Sequence, residues 1–203
     1  PVFRPSANGG ADVDLVIADL SPSTRALSIS AQLLGFAQGS DGAVLANVER
    51  LSIIGSALGD SMFGGVGDDV LSGGGGGDNL SGGGGNDALS GGDGDDTLNW
   101  DGQGVDTIDG GAGTDAASVN LSASNANQSF STNVVNTPGG FTLGGSTFAN
   151  VEAFGDLVFG SGNDDIEIVG AGAARSVSGG AGLDHLAIDL SAYAGPILVN
   201  TFN

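Results

Sequence analysis

Cysteine is absent from the 203-residue sequence, so neither a disulfide nor a thiolate metal site is available. Lysine is absent too. The only basic side chains that carry a permanent charge are Arg4, Arg25, Arg50 and Arg175, against 24 Asp and Glu, and the formal net charge is −20. A surface of that sign argues against nucleic acid and anionic membranes as partners. Without lysine there is no G-K-[ST] phosphate loop, and the single histidine, His185, leaves no H-E-x-x-H zinc site. No G-x-S-x-G elbow and no D-x-D-x-D-G loop occurs. Aromatic residues make up 5% of the chain, few for a groove that stacks sugars. No apolar run approaches the length of a membrane span, so membrane insertion is not expected. No stretch reads as a signal peptide, an absence without weight in a sequence that begins at Pro1.

What the chain has instead is glycine, 40 residues of it, and aspartate, set at a fixed interval. Cut every nine residues from Gly55, it stacks as GSALGDSMF, GGVGDDVLS, GGGGGDNLS, GGGGNDALS and GGDGDDTLN, then, after the extra Trp100, as DGQGVDTID and GGAGTDAAS. The sixth place is always aspartate: Asp60, Asp69, Asp78, Asp87, Asp96, Asp106 and Asp115. The eighth is always apolar: Met62, Leu71, Leu80, Leu89, Leu98, Ile108 and Ala117. This G-G-x-G-x-D-x-U-x pattern resembles the repeat of the RTX, or hemolysin-type calcium-binding, family. The resemblance implies a right-handed parallel β-roll with two nonapeptides per coil and Ca²⁺ held in the turns. It also implies a secreted protein of the kind commonly exported unfolded by type I systems.

The residues support the same reading. G-G-x-G-x-D asks for turn geometry that β-carbons resist. The x-U-x that follows is a short strand whose middle side chain points inward while its neighbours point out. Stacked coils then align the aspartates in two columns, each carboxylate near its counterpart two repeats on: Asp60 with Asp78, Asp69 with Asp87, Asp78 with Asp96, Asp87 with Asp106, and Asp96 with Asp115. Stacked like charges repel unless a cation lies between them. Carboxylate and carbonyl oxygens in a flexible cage suit Ca²⁺. The expected ligands are the seven aspartates with the turn glycines Gly65, Gly67, Gly74, Gly76, Gly83, Gly85, Gly92 and Gly94, holding about five or more ions. Ordering so much glycine is costly in backbone entropy, and each strand buries only one leucine-sized side chain. Folding and calcium binding are therefore expected to be one event. A flexible acidic linker has a similar composition, but no reason to keep aspartate and an apolar residue two apart at a period of nine.

Outside the array the signal is weaker but related. Phe159 to Glu167 and Gly179 to Ala187 are two further copies with Asp164 and Asp184 in the ligand place, near the two-repeat distance, and suggest another site. LVIADLS, SVNLS and AIDLS end at Ser21, Ser122 and Ser191, each seven residues after an aspartate: Asp14, Asp115 and Asp184. A second phrase, A-N-V-E, recurs at Ala46 to Glu49 and Ala149 to Glu152. ALSISAQLLGF, AVLANVERLSII and GGFTLGGSTFANV read as strands, although Ala26 to Phe36 also suits a short helix. The chain is thus expected to be all-β, a parallel β-roll or β-helix solenoid in three stretches. Residues 1–54 would be leading coils with longer loops, 55–118 the calcium-binding roll, and 119–203 a continuing solenoid with a second, degenerate block.

Catalysis finds little support. Asp68-Asp69, Asp95-Asp96 and Asp164-Asp165 each place one member in the ligand position, so metal binding or solvation is expected of them rather than acid–base work. Trp100 reads as a coil cap or loop anchor, and His185 as a surface residue. The expected function is a non-enzymatic, secreted or cell-surface structural module that folds on binding Ca²⁺. It would belong to a surface layer, filament or adhesin, with self-assembly or contact between neighbouring repeats. The alternative is the C-terminal export and folding module of a larger secreted protease, lipase or toxin.

Overall fold

The nonapeptide gives strands too short to stand alone, so each must find its ladder partners on the coils before and after it. A computed structural model shows this for residues 14–32, 36–38, 44–46, 48–131, 140–169 and 176–189, the part of the chain described below. Every regular element in that part is a strand.

A seven-stranded sheet runs in the order β1 (Leu15–Asp19), β5 (Arg50–Ile54), β7 (Val70–Gly75), β9 (Ala88–Asp93), β11 (Thr107–Ala112), β15 (Ser146–Ala149) and β14 (Phe141–Leu143). A nine-stranded sheet runs β18 (Ser176–Ser178), β16 (Ala153–Val158), β12 (Ala116–Asn120), β10 (Thr97–Trp100), β8 (Asn79–Gly83), β6 (Ser61–Gly65), β2 (Ser28–Gln32), β3 (Phe36–Gln38) and β4 (Val44–Ala46). The third sheet is β13 (Ser129–Ser131), β17 (Asp165–Val169) and β19 (His185–Asp189). Consecutive repeats alternate between the two large sheets, so two nonapeptides close one coil and the chain stacks as a parallel β-roll. Ser28–Gln32 is a strand paired with β6, which settles the helix alternative for that part of Ala26 to Phe36.

Register follows the repeat. Met62, Leu80, Leu98 and Ala117 lie side by side in one sheet, and Leu71, Leu89, Ile108 and Phe148 in the other. Each is buried, and both columns belong to one core. The residue added at Trp100 lengthens the step between coils from 18 to 19 without moving an inward side chain outward. Trp100 itself is buried and meets Phe148 edge to face, with ring centroids 5.5 Å apart. Phe148 stacks on Phe141 at 4.7 Å, Phe141 meets Phe154, and Phe154 meets Phe130 at 4.9 Å. These rings fill the junction where the glycine turns stop and the third sheet begins.

Candidate metal centre

The sixth place of the repeat is the last residue before each strand, and its side chain turns inward with the apolar residue two places on. A carboxylate there has lost water and needs donors. One of its oxygens finds them in the backbone: Oδ1 of each aspartate accepts the N–H of the aspartate one coil earlier. Asp60 donates to Asp78 at 2.7 Å, Asp69 to Asp87 at 2.8 Å, Asp78 to Asp96 at 2.7 Å, Asp87 to Asp106 at 2.8 Å and Asp96 to Asp115 at 2.8 Å. The structure thus brings together all five expected pairs. It also adds a feature that the repulsion argument omits, since half of each carboxylate is held by the preceding coil without any cation.

In Asp60 the other oxygen accepts the Ser56 N–H at 2.6 Å, but in several of the aspartates it is held by nothing. Oδ2 of Asp69, Asp78, Asp96, Asp115 and Asp164 is buried with no hydrogen-bond partner. A buried anionic oxygen left in this state is costly. In the array it lies over the first glycine of its own repeat, and a Cβ at Gly73 would overlap Asp78 Oδ2 and stand 2.6 Å from the Gly91 carbonyl. The glycine keeps open a cradle of oxygens. Several of the expected turn glycines, Gly65, Gly74, Gly76, Gly83, Gly85, Gly92 and Gly94, have positive φ. The carbonyls of Gly65, Gly67, Gly74 and Gly76 face Gly83, Gly85, Gly92 and Gly94 of the next coil. The Gly65 carbonyl accepts the Gly84 N–H at 2.8 Å and keeps a second lone pair. Among the described residues no three His, Cys, Asp or Glu side chains converge as metal ligands. Any shell here is therefore built mainly from carbonyl oxygen around one or two carboxylates, a donor set that fits a hard, flexible cation such as Ca²⁺.

The electrostatics agree. Burial, the largest cause, pushes Asp69 and Asp78 up to about 6 and Asp87 to about 7. It also raises Asp96, Asp106 and Asp115 above the ordinary carboxylate value. In every case the accepted backbone N–H pulls down and a neighbouring carboxylate pushes up. Without a cation the fold resists holding these groups ionised.

Residues just before the ligand place form a second, exposed ladder that runs the opposite way. Asn86 N–H donates to Asp68 Oδ1 and Val105 N–H to Asn86 Oδ1, at 2.8 and 2.9 Å. Thr114 uses Asp95 at 2.9 Å, and the second block repeats the device through Asn127, Asn163 and Leu183. So the leading members of the Asp68-Asp69 and Asp95-Asp96 pairs brace the turns. The sequence signal for this ladder is Asp or Asn in the fifth place of the repeat: Asp68, Asn86 and Asp95. Asn86→Ala removes one exposed acceptor, and the calcium needed for folding is expected to rise modestly, by about 0.5–1.5 kcal/mol in stability, as followed by circular dichroism.

The ends of the columns were also missed. Asp106 N–H donates to Ser146 Oγ and Asp115 N–H to Glu152 Oε2, both at 2.8 Å. Asp60 and Asp69 accept from apolar residues of the leading coils, Leu27 and Leu51, at 2.6 Å. In the second block Asp164 donates to Asp184 Oδ1 at 3.0 Å, so that pair too is brought together, although Asp184 is exposed. His185 is exposed and meets Asp165 across the strands at 2.7 Å.

Comparison with known families agrees with this geometry. The family model described as RTX calcium-binding nonapeptide repeat (4 copies) matches residues 54–89, 63–98 and 100–116, the stretch that holds both aspartate columns. A comparison with curated protein sequences found no match. Repeats of this kind are typical of secreted bacterial proteins. The chain carries hemolysin-type RTX calcium-binding nonapeptide repeats.

Proposed function

We infer that this chain is a secreted, non-catalytic structural module whose folding is driven by Ca²⁺ outside the cell. The observation that carries the reading is the divided carboxylate: one oxygen fixed by the preceding coil, the other buried without a partner. Oδ2 of Asp69, Asp78, Asp96 and Asp164, with carbonyls of the glycine turns, would hold the ions. Bound Ca²⁺ supplies the positive charge that these oxygens lack. The aspartates are committed to the ladder, which argues against acid–base work.

Assembly into a surface layer, filament or adhesin is supported by the outer face of the seven-stranded sheet. There Leu15, Ile17, Ile54 and Val70 stand exposed on β1, β5 and β7. The test is a far-UV circular dichroism titration of calcium-stripped protein, with light scattering read on the same sample. Strand signal is expected to appear near ~10⁻⁴–10⁻³ M Ca²⁺, the range of extracellular modules. Scattering that rises in step supports assembly. Full folding with flat scattering points instead to the export and folding module of a larger secreted protease, lipase or toxin. A strand signal complete at pH 7 in the absence of calcium, and unchanged by it, sinks the reading.

A further inference from the structure

The A-N-V-E phrase lies outside the nonapeptide, yet the fold gives both copies one hydrogen-bond pattern. Glu152 Oε2 accepts the Asp115 N–H at 2.8 Å, and the N–H groups of Glu152 and Ala153 donate to the Asp115 carbonyl, each at 2.9 Å. Glu49 Oε2 likewise accepts the Asp14 N–H at 2.9 Å, while Glu49 and Arg50 N–H donate to the Asp14 carbonyl at 3.3 and 3.1 Å. In the Asp60 to Asp115 column, then, Glu152 holds the place that the next repeat's aspartate would take.

Asn150 completes the likeness. It is the one non-glycine residue with positive φ among those described, at 50°. Its side-chain amide donates to Asp109 Oδ1 at 2.7 Å. Its carbonyl lies against Gly110, as the carbonyls of Gly73, Gly91 and Gly110 lie against Gly55, Gly73 and Gly91 in the coils before. Asp115 Oδ2 borders the same point, 2.7 Å from where a Gly110 Cβ would be. Asp115 is 0% exposed, and that oxygen has no partner. A buried anionic oxygen, a carbonyl continuing the column of turn carbonyls and a second carboxylate thus stand together, although the coil that brings Asn150 and Glu152 has no glycine turn.

We propose that Asp115, the Asn150 carbonyl and the Glu152 carboxylate form a further Ca²⁺ site, one coil beyond the last nonapeptide. Asn150 and Val151 stand in for the glycine-rich turn. This rests on the calcium reading above. The experiment counts bound ions on the full chain at saturating Ca²⁺ by native mass spectrometry, for the wild type and for Glu152→Gln. The amide oxygen of glutamine still accepts the Asp115 N–H, so the ladder bond survives while the charge goes. Glu152→Gln is expected to carry one ion fewer than the wild type. Equal counts overturn the proposal, whereas a wild type that binds no calcium overturns the reading beneath it.

If Glu152→Gln does not fold in calcium, a spectroscopic measurement replaces the count. The chain has three glutamates, Glu49, Glu152 and Glu167. In the Glu49→Gln, Glu167→Gln double variant, glutamate-¹³C labelling isolates the Glu152 carboxylate in the infrared. Its band is expected to shift when bound Ca²⁺ is exchanged for Sr²⁺. A band that stays in place while the exchange is complete overturns the proposal.

Discussion

Gly73→Ala unfolds the centre of the array, while Gly75→Ala, two residues along the same strand, leaves it standing. A Cβ at position 73 meets two atoms that cannot move cheaply: the unpartnered Oδ2 of Asp78 and the Gly91 carbonyl, 2.6 Å away. Relief would require turning the Asp78 carboxylate, which breaks its bond from Asp60 N–H, or spreading two coils that are bonded above and below. Overpacking of this kind, combined with the loss of a buried hydrogen bond, is expected to cost roughly 3–5 kcal/mol. At position 75 the nearest atom to a Cβ is the Ala57 Cα at 3.5 Å, an ordinary contact, and φ is not positive. Alanine there is expected to be neutral or to gain about 0.4–1 kcal/mol through the unfolded chain. Thermal unfolding in saturating calcium separates the two variants. Equal midpoints would mean that the cradle does not set the spacing of the coils.

The second large effect is an inverted pH dependence in the calcium-free protein. Asp69, Asp78 and Asp87 have pKa values of about 6, 6 and 7 in the fold, above the ordinary value of 3.8. Between roughly pH 4 and pH 7 the folded state therefore binds more protons than the unfolded chain, and its stability falls as pH rises. The contribution is fully present below the ordinary value and is lost as pH climbs through the folded values. A rise from 3.8 to about 6 corresponds to about 3 kcal/mol for a single group. Strand signal in protein stripped by chelating resin is thus expected at pH 4 and gone by pH 7, with the formal charge of −20 adding to the loss. Calcium reverses the sense: the ions require ionised carboxylates, so acidification through pH 7 to 6 raises the calcium needed. A calcium-free strand signal that grew with pH would contradict the burial of these aspartates.

The array was legible because each coil repeats one solution. Aspartate at the sixth place and an apolar residue at the eighth give the strand, the inward face and the step of two repeats, and the paired β6, β8, β10 and β12 follow them. Composition pointed to the cation but hid the backbone N–H that each Oδ1 accepts, because a hydrogen bond to the main chain leaves no mark on the sequence. Ser146 was missed for a related reason. It occupies the ligand place through an antiparallel hairpin, β14–β15, and nothing in its sequence neighbourhood resembles the glycine turn. Glu152 was visible as part of a recurring phrase, but its partner Asp115 lies 37 residues away. The aromatic junction combines Trp100, Phe130, Phe141, Phe148 and Phe154, residues scattered over three sheets with no shared period.

The bonds from each aspartate N–H to the next carboxylate run from coil to coil, along the direction in which the coils stack. Tension applied in that direction loads them one layer at a time rather than all together. Each layer of the array that yields releases 18 or 19 residues, about 60 Å of thread at ~3.4 Å per residue. Within the array the chain would thus lengthen by nearly equal strides, one coil at a time.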